Sequence, residues 1–223
     1  MKFAAGGFFA MLVLAPFAAG AAQPPARFAA TLQGTIVDEL EYVQTTVTED
    51  CRSGRAGHGG RRLEVRSLRP TAIVVRRGKG GPVYRPPRLI GLRVVATTLA
   101  GGFSELRSCR FLPPEKLTGR CGRSSGAVRR LNAEFRRGRN AVRFQPLGAT
   151  EAATACGLDR TIPAGWLDVV AGRIDEKALM SGRARRVLAR ASTIRRRSIG
   201  DGPALDVKQR TTVRWTLTFR RVR

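Results

Sequence analysis

The chain has 223 residues, 43% of them hydrophobic and 6% aromatic, with 41 basic side chains against 16 acidic ones and a net charge of +25. The apolar fraction supports a packed interior and excludes the apolar-poor composition of a disordered protein, while the length suits one all-β domain behind a removable leader. The charge draws polyanions such as nucleic acid, anionic lipid or acidic envelope polymers, through long-range steering and counterion release.

Met1 and Lys2 are followed by the apolar run Phe8–Ala15, then Pro16 and the small residues Ala18–Ala22. A basic start, an apolar core and an A-x-A-like site in that order predict a signal peptide over residues 1–22, with the mature chain over residues 23–223 acting outside the cytoplasm. The apolar core falls short of the ~20 residues of a membrane span. Later apolar runs are short and broken by arginine, so no span is expected in the mature chain.

From Arg27 to Thr48 apolar and polar residues alternate, predicting half-buried strands with Asp38-Glu39 at their connection. Cys51 precedes Arg52–Gly60, a stretch with four glycines and no apolar periodicity, which predicts a surface loop carrying His58. Leu63–Leu68 and Thr71–Val75 are β-like runs split by Pro70; a second loop is expected over Gly78–Pro87 and a strand over Leu92–Leu99. Leu131–Phe144 carries alternating apolar residues on both sides of a Gly138/Asn140 turn and predicts a hairpin, although Val128, Leu131 and Phe135 also satisfy helical spacing. Asp175–Met180, with an acidic first turn and Ser181-Gly182 behind it, predicts one short helix. No longer basic amphipathic helix is expected, Ala178–Ile194 being the nearest approach. Near the end, Val213, Trp215, Leu217 and Phe219 share one side of a strand, and Trp166 and Trp215 are assigned to the core. Together these elements predict an all-β, mainly antiparallel fold: a single β-sandwich or barrel-like domain with one short helix and two disulfides.

The disulfide expectation rests on Cys51, Cys109, Cys121 and Cys156, an even number in an exported chain. Of the three connectivities, Cys109–Cys121 across a short Pro/Gly-containing loop with Cys51–Cys156 across a long one is preferred. None of the four forms a C-x-x-C pair and His58 is the sole histidine, so neither a metal nor another cofactor is expected.

No catalytic residue is assigned. Gly122–Gly126 matches the G-x-S-x-G pattern, but no histidine follows Ser124, as a nucleophile elbow requires. The alternative is an exported hydrolase using Ser124 and His58, with Asp50 as a third member. Glu41, Asp50, Glu64, Glu105 and Glu134 stand singly, without the pairing of a glycosidase, and no P-loop occurs. Among the basic clusters, Arg136, Arg137 and Arg139 and the run Arg195, Arg196 and Arg197 are the candidates for polyanion binding. Such a site requires arginines to converge on one face, with aromatics such as Phe144 or Trp215 beside them if bases are to stack. The preference for arginine over lysine is also what a high-GC genome imposes through codon usage.

Cys51 after an acidic residue, Cys121-Gly122, Cys156-Gly157 ahead of Ile162-Pro163, and the ending Thr211–Arg221 make the chain resemble exported β-rich proteins of high-GC bacteria that are uncharacterised and have no assigned activity. The likeness covers most of the mature chain. It implies export and a β-rich fold and carries over no catalytic residue. The function expected is a non-enzymatic envelope or extracellular one, with anionic envelope polymers or extracellular nucleic acid as partners.

Overall fold

Alternation of apolar and polar residues decides the architecture, because it gives each long strand one side for the core and one for solvent. The computed structural model describes residues 25–78, 81–85, 89–138, 141–147, 152–159, 162–163, 169–170, 179, 181–199 and 204–222. The strands are β1 (Ala26–Val47), β2 (Cys51–Ser67), β3 (Thr71–Gly78), β4 (Gly81–Arg85), β5 (Leu89–Thr98), β6 (Gly101–Cys109) and β7 (Leu112–Cys121). They continue with β8 (Ser125–Gly138), β9 (Ala141–Leu147), β10 (Ala152–Ala153), β11 (Ile162–Pro163), β12 (Val169–Val170), β13 (Arg185–Ile199) and β14 (Ala204–Val222). Except for the small β10–β11 sheet they form one open antiparallel sheet, in the order β12-β9-β8-β5-β2-β1-β14-β13. β3 and β4 branch from β1, and β6 and β7 from β2. The ends of the sheet, β12 and β13, touch without forming a ladder.

β1 is the spine. Its even-numbered residues Phe28, Leu32, Ile36, Leu40 and Tyr42 are buried, and along the paired strand β14 so are Leu205, Val207, Val213, Leu217 and Phe219, with Leu32 opposite Leu217, Ile36 opposite Val213 and Tyr42 opposite Val207. The interior divides into two apolar clusters, a larger one reaching from Phe28 and Phe219 to Ile90 and Leu179, and a smaller one around Leu40, Leu158 and Leu205. Between them lies a polar layer of Asp38, Arg61, Gln209 and Thr211, all buried. Register places Asp38 directly opposite both Arg61 and Thr211. Its carboxylate accepts from Thr211 Oγ1 at 2.6 Å, Arg61 Nε at 3.4 Å and Gln209 Nε2 at 3.5 Å. Asp38-Glu39 therefore does not connect two strands as expected. The acid is tolerated inside one continuous strand because its charge is matched there.

The expected loop over Arg52–Gly60 is also corrected: it is the first half of β2. Across β1, β2, β6 and β7 the residues Tyr42, Gly57, Phe103 and Gly119 lie in one row. The Tyr42 ring covers Gly57 and the Phe103 ring covers Gly119, occupying the space where side chains would stand. Glycines that look like loop residues in one strand are filled from the next. At Gly60, with φ 146°, a Cβ would collide with the Asp38 carbonyl. Here β2 changes partner from β6, along Cys51–His58, to β5, along Arg61–Ser67.

The cysteines pair as Cys51–Cys109 and Cys121–Cys156, not as expected. Cys109 and Cys121 lie at opposite ends of the β6–β7 hairpin, opposite Leu112 and Gly101 respectively. Eight residues of strand separate those ends, roughly 25 Å. The intervening residues form a hairpin, not a loop, so closeness in sequence becomes distance in space. Cys51 instead faces Cys109 across the β2–β6 ladder.

The hairpin expected over Leu131–Phe144 is formed by β8 and β9. The expected helix over Asp175–Met180 lies outside the described residues except for Leu179, which is buried in the larger cluster. Trp215 is a core residue; Trp166 lies outside the described residues.

Candidate anion-binding face

The sides of the strands turned away from the core form an outer face, and register decides which arginines meet there. Arg190 on β13 lies directly opposite Arg214 on β14, and Arg66 on β2 directly opposite Arg93 on β5. β1 runs between the two pairs, with Thr35 beside Arg214 and Gln33 beside Arg66. All four arginines are exposed and line one trough of about 700 Å³. A neighbouring hollow of about 620 Å³ shares Gln33, Arg66 and Arg93 and adds Arg69 and Arg186.

Like charges directly opposite each other on adjacent strands are destabilising. Among the described residues no carboxylate forms an ion pair with any of these six arginines. Glu64 is the one acid on the described lining of the trough, and it pairs with Arg62 at 3.4 Å. A bound anion would relieve the repulsion, and the guanidinium fork suits phosphate, sulfate or carboxylate oxygens. Thr31, Gln33, Thr35, Thr216 and Thr218 add neutral hydrogen-bonding groups. Trp215 contributes no stacking platform: its ring is buried against Gly34.

The arginine runs fall elsewhere. Strand alternation splits Arg195, Arg196 and Arg197: Arg196 shares the outer face with Arg190, opposite Lys208, whereas Arg195 and Arg197 project to the reverse side opposite Gln209 and Val207. Arg136 and Arg137 lie on β8 opposite Arg143 and Val142 of β9, and Arg139 is outside the described residues. The trough arginines were missed because they stand singly in sequence. The visible signal was the spacing of Arg186 and Arg190, which places both on one side of a strand.

His58 is exposed on β2, opposite Glu41 and Gly102. Ser124 follows β7; its amide donates to Thr98 Oγ1 at 2.8 Å and its hydroxyl lies 2.8 Å from the same oxygen. Thr98 is opposite Arg61, three residues from His58 along β2, and Ser124 lies one strand further out. Strand geometry separates His58 and Ser124 by roughly 14 Å, beyond hydrogen-bond reach. Asp50 sits at the far end of β2, where its carbonyl accepts from the Arg110 amide at 2.9 Å.

Two groups near His58 have displaced pKa values. A hydrogen bond and the charge of Lys208 hold the Glu41 carboxyl below the ordinary carboxylate range. Burial pushes the Tyr42 phenol up, and its hydroxyl donates to the Cys156 carbonyl at 2.8 Å. Among the described residues no cluster of three or more histidines, cysteines and acids could hold a metal, and no helix is long and apolar enough to cross a membrane.

Comparisons of the chain with protein families, with curated proteins and with solved structures return no match.

Proposed function

We propose that this is an exported, non-enzymatic envelope or extracellular protein that binds anionic polymers on the outer face of its sheet. The observation carrying this reading is the pair of like-charge contacts, Arg190 with Arg214 and Arg66 with Arg93, gathered in one trough without carboxylate partners among the described residues. Two disulfides are consistent with an oxidising compartment, and the leader-like residues 1–22 supply the route out.

Binding to heparin and to polyphosphate at increasing salt tests it. Counterion release makes log K fall linearly with log salt, at about 0.7 per neutralised charge for a flexible polyanion. Replacing Arg66, Arg93, Arg190 and Arg214 together by Gln should lower that slope by about 3. The control variant replaces Arg52, Arg107, Arg110 and Arg123, four exposed arginines elsewhere, and should bind more tightly than the trough variant. Equal losses in the two variants would reduce the trough to general surface charge, and absence of low-salt binding would end the proposal.

A further inference from the structure

The same outer face carries a second basic row. Arg196, Lys208, Glu41, His58, Gly102 and Arg120 are successive cross-strand partners over β13, β14, β1, β2, β6 and β7. Glu41 is the one acid in the row, and Lys208 Nζ already donates to it at 2.9 Å. Arg196 and Arg120 form no ion pair among the described residues. A hollow of about 950 Å³ opens on the Arg120 side of this row, lined by His58, Gly102, Ser104 and Thr118 among others. Gly102 contributes no side chain, and the His58 ring stands 3.5 Å from the place its Cβ would take.

Six residues of β13 separate Arg190, in the trough, from Arg196, in this row. At the rise of a strand that is about 20 Å. Exposed Arg62 and Arg210 lie on the same face between them, Arg210 beside Glu39 and Arg62 beside Glu64. A single phosphate or sulfate group cannot reach both ends, whereas a linear chain of anionic groups laid along the strands can.

Resting on the reading above, we infer that the ligand is a linear polyphosphate- or phosphodiester-type polymer without stacking bases, held at two subsites about 20 Å apart. Phosphate fits the guanidinium forks, and neither the trough nor the second row presents an exposed Phe, Tyr or Trp ring among the described residues: Trp215 and Tyr42 are buried and the Phe103 ring lies over Gly119. Once the trough has captured such a chain, the second row binds it at high effective concentration, so affinity grows with length without new chemistry.

The test compares inorganic phosphate, oligophosphates too short to span about 20 Å, long-chain polyphosphate and poly-dT on the full protein. Long chains should bind at least tenfold more tightly per phosphate than short ones. Arg120→Gln, Arg196→Gln and Lys208→Gln together should lower the long-chain salt slope by about 2 and leave short-chain binding at the trough unchanged. Should loss of Lys208 disturb folding through Glu41, the variant retaining Lys208 should lower the slope by about 1.4. Equal affinity per phosphate for short and long chains, or an unchanged slope, overturns the two-subsite inference and leaves the trough standing. Tighter binding of poly-dT than of polyphosphate at equal charge overturns the base-free ligand. Failure of every polyanion to bind removes the proposed function itself.

Discussion

Along β2 the chain passes between two regions held together differently. From Arg61 to Ser67 it runs beside β1 and β5, and Leu63 and Val65 enter a continuous apolar cluster. From Cys51 to His58 it runs beside β6, in a wing where Leu106, Phe111, Leu112 and Leu117 remain exposed. The wing relies on local devices. Two rings cover two glycines, Arg55 pairs with Glu105 and lies 5.4 Å from the centre of the Phe103 ring, and each disulfide fixes one end of the β6–β7 hairpin. A two-stranded arm with little apolar burial is marginal by itself, and covalent links compensate for the missing core. The body has the opposite arrangement, with extensive burial and no disulfide within its larger cluster.

The sharpest way to break the comparison is at the polar layer where the regions meet. Asp38→Ala removes the buried carboxylate that Arg61, Gln209 and Thr211 share and should cost about 3–5 kcal/mol, the usual penalty for breaking a buried charged network, read by chemical denaturation. A cost near zero would show that Arg61 finds water or another acid. Replacing Cys121 and Cys156 by Ser should cost about 2–4 kcal/mol. Its distinguishing readout is hydrogen exchange: amides of β6 and β7 should lose protection while those of β1 and β14 keep theirs. Uniform loss would show that wing and body unfold as one unit.

The smallest effect concerns Glu41. Its depressed pKa means that Lys208 adds stability above the ordinary carboxylate pKa, and this stability is lost as pH falls through the folded value. Lys208→Gln should move the Glu41 titration back toward the ordinary range by NMR, with little change in melting temperature because the pair is exposed. An unmoved titration would assign the shift to other charges.

Much of the fold was legible. The alternation of β14, the β8–β9 hairpin and the core position of Trp215 follow from periodicity, a local property of the chain. Arg52–Gly60 was not, because glycine reports what is absent from its own position and says nothing of a ring arriving from Tyr42 or Phe103. The candidate site was hidden for a related reason. Consecutive arginines such as Arg195, Arg196 and Arg197 attract attention in sequence, yet a strand sends neighbours to opposite sides, and arginines that stand singly become adjacent only through pairing.

By itself, the sequence determined the β-rich class, because alternation and turn residues act over a few positions. The number and place of the cysteines were likewise open to inspection. Tertiary structure alone decided which cysteines bond, where Asp38 finds its partners, and that Arg66, Arg93, Arg190 and Arg214 share a trough. Each of these depends on register between strands distant along the chain, and a shift of one residue would turn every one of those side chains to the other face.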